Sequence, residues 1–296
     1  MQEFVERTPD YIDGPLNLVI GCGDLGLGCA RVLGRRAPLL LVDIDGERLD
    51  RSVAMLRHDG FIANGHRCDI ADSAQVEALG AALAKTKGVR VLAHVAAVGN
   101  TPGGWRAVMK VDLIGAHLVA RAAAPHMTRG GVAILISSTG SYQCPVDDRI
   151  HALIDAPLEP DFLERFAATL GYEPDFLEAY FIAKQGVNRL AQRLALDWGS
   201  QDVRAVSLSP GLINSTMGRT GGSALPVYDG SENKVPGSRS EKAIKEVPLG
   251  RQGTLLEITS VVEFLASDAA SFINGIDIPV DGGSTALWRV RGVIAR

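Results

Sequence analysis

Aromatic residues are scarce in this chain, at 5%, and cysteine is scarcer, with four in 296 residues. The four are Cys22, Cys29, Cys68 and Cys144; no two form a CxxC pair and none has histidines at metal-ligand spacing. That pattern excludes a disulfide-framed secreted scaffold, gives no reason to expect a metal, and points to free thiols in the reducing cytoplasm. Positive charge is thin as well: 30 lysines and arginines stand against 34 acidic residues, for a formal net charge of -4, with no lysine-rich run. Nucleic acid and anionic membrane are therefore poor partners, and a small molecule is the better one. No apolar run approaches the ~20 residues that cross a bilayer. The first fourteen residues carry Glu3, Glu6, Asp10 and Asp13 without an apolar core, so they read as neither signal peptide nor membrane anchor.

What the chain does have is short apolar runs at Leu16 to Ile20, Leu39 to Val42, Val89 to Val95, Val132 to Ile136, Val203 to Leu208 and Ile276 to Val280, separated by amphipathic stretches. Strands alternating with helices of ten or more residues imply right-handed crossovers and a parallel sheet covered on both faces. The expected fold is α/β, a Rossmann-type doubly wound parallel sheet in a single domain. Two stretches break the rhythm. Gln143 to Ala179 is acidic and predicts a short helix from Phe162, Leu163, Phe166, Ala167 and Leu170, with Pro160 in its early turn. Met217 to Val247, rich in Gly, Ser and Pro, reads as a mobile loop. The two are expected to wall an apolar substrate pocket with Phe162, Phe166, Phe176, Met217 and Leu225.

Directly after the first strand comes GCGDLGLG, where Gly21, Gly23 and Gly26 form a GxGxxG that also takes in Asp24 and Leu25. Such glycines allow a tight turn, close approach of backbone to a pyrophosphate, and close packing of helix on strand. The second strand ends in LLLVDID, which places Asp43, followed by Ile44, where a carboxylate accepts hydrogen bonds from an adenosine ribose. That carboxylate favours NAD and repels a 2'-phosphate.

Further on, EAYFIAKQGVNRLAQRLALDWG reads as a long helix in which Tyr180 and Lys184 stand four apart on one face. A neighbouring ammonium stabilises phenolate and brings a tyrosine toward general acid and base work. Another apolar strand, in AILISSTGSY, ends in the adjacent hydroxyls of Ser137 and Ser138.

With these motifs in order the chain resembles the short-chain dehydrogenase/reductase family from about Leu16 to Gly283. Asp69 in CDIAD after a third strand, HVAAV in place of the family's NNAG, Pro210 and Gly211 in LSPGLINST, and the closing PLGRQG to PVDGG stretch complete the match. The resemblance implies that Tyr180 exchanges a proton with the substrate oxygen, that Ser138 hydrogen-bonds the same oxygen, and that Lys184 holds ribose hydroxyls. It implies adenine contacts at Asp69 and Ile70, a wall behind the cofactor at Ala96 and Ala97, and cofactor contacts at Pro210, Gly211, Ile213 and Ser215. A homotetramer or dimer follows from the same likeness.

Three departures stand out. Cys22 takes the place of the family's first loop glycine, His94 and Val95 replace its paired asparagines, and Asp112 in VDLIG replaces the asparagine that holds a relay water. Asp112 is therefore counted with the catalytic set, its charge altering the electrostatics of Tyr180 and Lys184. The function expected is NAD-dependent hydride transfer between a secondary alcohol and a ketone. A long insertion between serine and tyrosine, as in hydroxysteroid dehydrogenases, suggests a steroid-like or other apolar substrate. The alternatives are a non-catalytic NAD-binding sensor of the same fold and, fitting less well, a nucleotide-sugar dehydratase or epimerase.

Overall fold

In β1 (Leu16–Ile20) the two-residue period of an extended chain sends Leu16, Leu18 and Ile20 into one core and Val19 into another. A strand buried on both faces belongs inside a sheet covered by helices on both sides. That is the arrangement in the structure, a computed structural model that describes residues 14–99, 101–215 and 239–294. β2 (Leu39–Asp43), β3 (Ala63–Arg67), β4 (Val89–His94), β5 (Met127–Ile136), β6 (Arg204–Pro210) and β7 (Asp277–Val280) complete a seven-stranded sheet. Its order is β3-β2-β1-β4-β5-β6-β7, and every neighbouring pair is parallel. The fold is thus the expected doubly wound α/β domain, with one strand, β3, that no apolar run marks.

The helices are α1 (Asp24–Leu33), α2 (Gly46–His58), α3 (Ser73–Leu83), α4 (Gly104–Val108), α5 (Gly115–Ala123), α6 (Asp148–Asp155), α7 (Phe162–Leu170), α8 (Phe176–Gly199), α9 (Arg239–Glu246), α10 (Leu255–Leu265) and α11 (Ser284–Val290). A π-helical turn, Met109–Ile114, joins α4 to α5. From β1 the chain winds outward through β2 and β3, then returns to β4 beside β1 and winds the other way. The crevice beyond the carboxyl ends of the strands at such a reversal is where these sheets take ligands. Ile20 lies level with Val42 and with His94, so the loops after β1, β2 and β4 open at the same edge.

Between serine and tyrosine the predicted helix is present as α7, and a second, α6, precedes it. Pro160 lies before α7 rather than in its first turn, because Asp161, at φ 55°, turns the chain into the helix. Phe162, which also edges a surface cleft with Ile114, Leu118 and Leu158, and Phe166 turn into the protein interior. They are buried with Trp105, Ile150 and Ile154 in a third core that fastens α6 and α7 to α4 and α8. Met217 and Leu225 lie outside the described residues.

Candidate active site

The glycine loop is dictated by contacts. Gly21 sits at φ 96°, a conformation that side chains resist, and a Cβ there would come within 2.9 Å of the Ala96 backbone. On α1, a Cβ at Gly26 would lie 1.8 Å from the Gly21 carbonyl oxygen. Gly23 differs: among the described residues a Cβ there meets nothing within 4 Å, and as N-cap it offers no side chain to the amides of the first turn, where Asp24 and Leu25 lie. A helix start with no side-chain cap at Gly23 and no described residue crowding it suits the pyrophosphate of a dinucleotide.

Asp43 ends β2 almost wholly buried. Its carboxylate accepts from the Cys22 amide at 2.7 Å and from the Asp45 amide at 2.9 Å. Arg48 reaches back to within 3.7 Å of it while pairing with Asp45 at 3.0 Å. Burial, with the Asp43 charge adding to it, pushes the Cys22 thiol up to about 12, so this cysteine stays protonated and unreactive.

The remaining expected cofactor residues follow strand ends on the same edge. Exposed Ile44 follows Asp43. Asp69 accepts from the Ala71 amide at 2.9 Å, and Ile70 is buried against Gly115. Ala96, with half-buried Ala97 beside it, donates its amide to the Ile20 carbonyl at 2.8 Å. After Pro210, the Gly211 amide bonds the Val280 carbonyl at 3.0 Å, and Ile213 bridges to Gly253, holding the segment that leads to buried Ser215.

The two serines after β5 divide the labour. Ser137 donates to the Lys184 carbonyl at 2.9 Å, pinning α8 to the sheet. Ser138 accepts from the Gly140 amide at 3.1 Å, so its hydroxyl proton remains to be given. That hydroxyl acts on the Tyr180 phenol. α8 starts where Asp175 accepts from the Glu178 amide at 2.8 Å, and one turn separates Tyr180 from Lys184. The Lys184 Nζ lies 5.5 Å from the centre of the Tyr180 ring. It donates to the Ile136 carbonyl at 3.3 Å and pairs with Asp112 Oδ2 at 3.1 Å. Asp112 Oδ1 accepts from the Val98 amide at 2.9 Å.

Electrostatics follow from this burial. For Tyr180, desolvation is the largest influence and raises the phenol, Lys184 lowers it, Asp112 raises it, and Ser138 lowers it; the balance lies above the ordinary phenol range. Burial opposes charge on Lys184, but the Asp112 carboxylate outweighs it and holds the ammonium above its usual range. Burial lifts the Asp112 carboxyl in turn. His94, buried at the end of β4, is driven down to about 3 by burial and by Lys184, and stays neutral.

Sequence reading missed a second network beside this one. Tyr142 donates to Asp277, which also accepts from Ser207 at 2.7 Å and Ser209 at 3.0 Å. Its signal was an aspartate set between isoleucines in the apolar run IDIPV.

Comparison with known proteins agrees with the fold. The family model described as Enoyl-(Acyl carrier protein) reductase matches residues 24–151 and 166–285, leaving out part of α6 and α7. D-threitol dehydrogenase of Mycolicibacterium smegmatis is 27% identical over 299 residues, spanning 96% of this chain and 99% of that protein. Meso-2,3-butanediol dehydrogenase of Serratia marcescens is 29% identical, spanning 93% and 96%. The crystal structure of a gluconate 5-dehydrogenase from Burkholderia cenocepacia, in complex with NADP and tartrate, is similar at TM-score 0.71 and 26% identity, covering 93% of this chain and 97% of that one. The chain belongs to the short-chain dehydrogenase/reductase family, whose members bind a nicotinamide cofactor.

Proposed function

We propose that the protein transfers hydride between a nicotinamide cofactor, NAD in preference to NADP, and a small secondary alcohol or its ketone. The observation that carries this reading is the meeting of Ser138, Tyr180 and Lys184 at the edge where the glycine loop opens. When bound, the nicotinamide supplies or takes the hydride. Tyr180 gives or takes the proton at the substrate oxygen, and Ser138 donates to the same oxygen. Of its three N–H groups Lys184 keeps one free for a ribose hydroxyl, the others facing Asp112 and Ile136. Gly21, Gly23, Asp24, Leu25 and Gly26 hold the pyrophosphate; Asp43 and Ile44 face the adenosine ribose, and Asp69 and Ile70 the adenine. Ala96 and Ala97 stand behind the cofactor, and Pro210, Gly211, Ile213 and Ser215 face the nicotinamide amide.

A preference for NAD is supported by the buried Asp43 carboxylate, which has lone pairs left for both ribose hydroxyls. Arg48 tempers it, since the Asp43, Asp45 and Arg48 cluster carries only one net negative charge. The threitol and butanediol dehydrogenases favour a small polyol or vicinal diol over a steroid, and the inward packing of Phe162 and Phe166 agrees. A non-catalytic sensor is the weaker reading, because all three reacting side chains are retained. A cytoplasmic location is supported by the four free cysteines; among the described residues no helix is long and apolar enough to cross a membrane. A homo-oligomer is supported by Leu256, Phe264 and Phe272, which lie exposed on and just beyond α10.

Purified protein with NAD and a panel of polyols, diols and steroid alcohols tests the reading. Reduced-cofactor absorbance is expected with a polyol or diol; none with any alcohol, in either direction, overturns it.

A further inference from the structure

The site holds one more charge than proton transfer through Tyr180 and Lys184 needs. Asp112, carried inward on the π-helical turn between α4 and α5, is 1% exposed, and its partner Lys184 is 2% exposed. Their 3.1 Å separation makes them an ion pair that water barely screens. An unpaired ammonium beside the phenol would favour phenolate; paired this way it presents a dipole, whose pull on the phenol is much weaker.

Among the described residues no other charge around the phenol takes over that pull. From β4, His94 faces Lys184 and is neutral. Ser138, beyond β5, is uncharged. On the outer side of α8 the charges engage one another, with Arg189 gripping Asp155 of α6 through two 2.6 Å bonds. At the start of α8, Glu178 accepts from Tyr172 and Asp175 caps the helix.

We propose that Asp112 is a positioning residue that cancels the charge of Lys184, so that Tyr180 stays protonated past neutral pH and the site is set to give a proton to a carbonyl oxygen. The proposal rests on the reading of Tyr180 as the proton-transferring group. In the favoured direction the Tyr180 O–H bond breaks and its proton forms the new hydroxyl of the product, while the carbonyl carbon is reduced by the hydride that the reduced cofactor provides. Tyr180 is left as phenolate and recovers a proton from water. Oxidation of an alcohol needs the phenolate first, and so calls for more alkaline conditions. The Asp112 carboxylate also holds the Val98 amide, which an asparagine oxygen can equally do, so Asp112→Asn removes charge while keeping that bond.

Two measurements test this, the first without turnover. Phenolate absorbance is titrated in the wild type and in Tyr180→Phe, and the difference reads Tyr180 alone. Ionisation above the ordinary phenol value of about 10 is expected in the wild type, with a midpoint at least one pH unit lower in Asp112→Asn than in the wild type. In the second measurement, the acidic limb of alcohol oxidation is expected to move down with the Asp112→Asn titration. Tyr180 ionising near neutral pH in the wild type overturns the proposal even if the variant does not fold. Equal midpoints in wild type and Asp112→Asn overturn it as well. If no alcohol or ketone is turned over, the titration still decides the role of Asp112, so failure of the activity reading is separately visible.

Discussion

The Lys184 ammonium lies 3.1 Å from the Asp112 carboxylate, at a depth where neither has water to replace the other. Removing one partner of such a pair leaves a buried, uncompensated charge, which costs about 3–5 kcal/mol. Lys184→Met is therefore expected to lower unfolding stability by roughly that amount, and Lys184→Met with Asp112→Asn to recover most of it. Urea unfolding measures both. Equal losses in the single and double variants would show that the pair is not coupled as described.

The glycine loop makes two opposite predictions. Gly26→Ala places a Cβ 1.8 Å from a backbone oxygen and is expected to cost ~3 kcal/mol or more, read as a lower melting temperature. Gly23→Ala meets no atom of the described residues and is expected to fold nearly as well as the wild type while binding cofactor far more weakly. Unchanged cofactor affinity in Gly23→Ala would remove the pyrophosphate from this loop.

The framework of the site was readable in the sequence because its parts are local. Gly21, Gly23 and Gly26 follow an apolar strand, Asp43 ends the next, and Tyr180 and Lys184 are one helical turn apart. β3 was not marked by any apolar run, because ANGHR is an edge strand whose alternate residues face solvent and need not be apolar. The pairing of Asp112 with Lys184 joins residues 72 positions apart through a π-helical turn, a geometry no periodicity announces. Asp112 was picked out as a departure, but only the fold supplies its partner. Ser137 and Ser138 look alike in the sequence; their different duties arise from α8 crossing the end of β5.

Stability is expected to fall on mild acidification. Burial, with Lys184 and Arg193 acting the same way, holds His94 at about 3 and His117 at about 4, against an ordinary value of 6.5. Their folded values lie below the unfolded one, so the unfolded chain takes up protons first as pH drops. Their contribution is whole above about pH 6.5 and is lost progressively toward pH 4 and pH 3, at up to about 1.4 kcal/mol per pH unit for each histidine. Urea unfolding at about pH 7 and about pH 5 measures the slope. His117→Leu is expected to reduce it; an unchanged slope would mean that His117 is not held neutral.

Cofactor choice turns on Asp43. Catalytic efficiency with NAD is expected to exceed that with NADP by roughly a hundredfold, the effect of a like-charge contact worth a few kcal/mol in a partly desolvated cleft. Asp43→Ala narrows the gap, and Arg48→Ala widens it by removing the cation that a 2'-phosphate would recruit. Equal efficiencies in the wild type, or no relaxation in Asp43→Ala, would place the ribose elsewhere.

The central claim is that Tyr180 moves the proton at the substrate oxygen, and Tyr180→Phe tests it most directly because it removes one hydroxyl and leaves Lys184, Asp112 and the glycine loop in place. With the alcohol or ketone that the wild type turns over best, kcat is expected to fall at least ~100-fold, the scale of general acid–base catalysis. Cofactor affinity, measured by quenching of protein fluorescence, is expected to stay within a few-fold of the wild type. Turnover by Tyr180→Phe within a few-fold of the wild type would contradict the account.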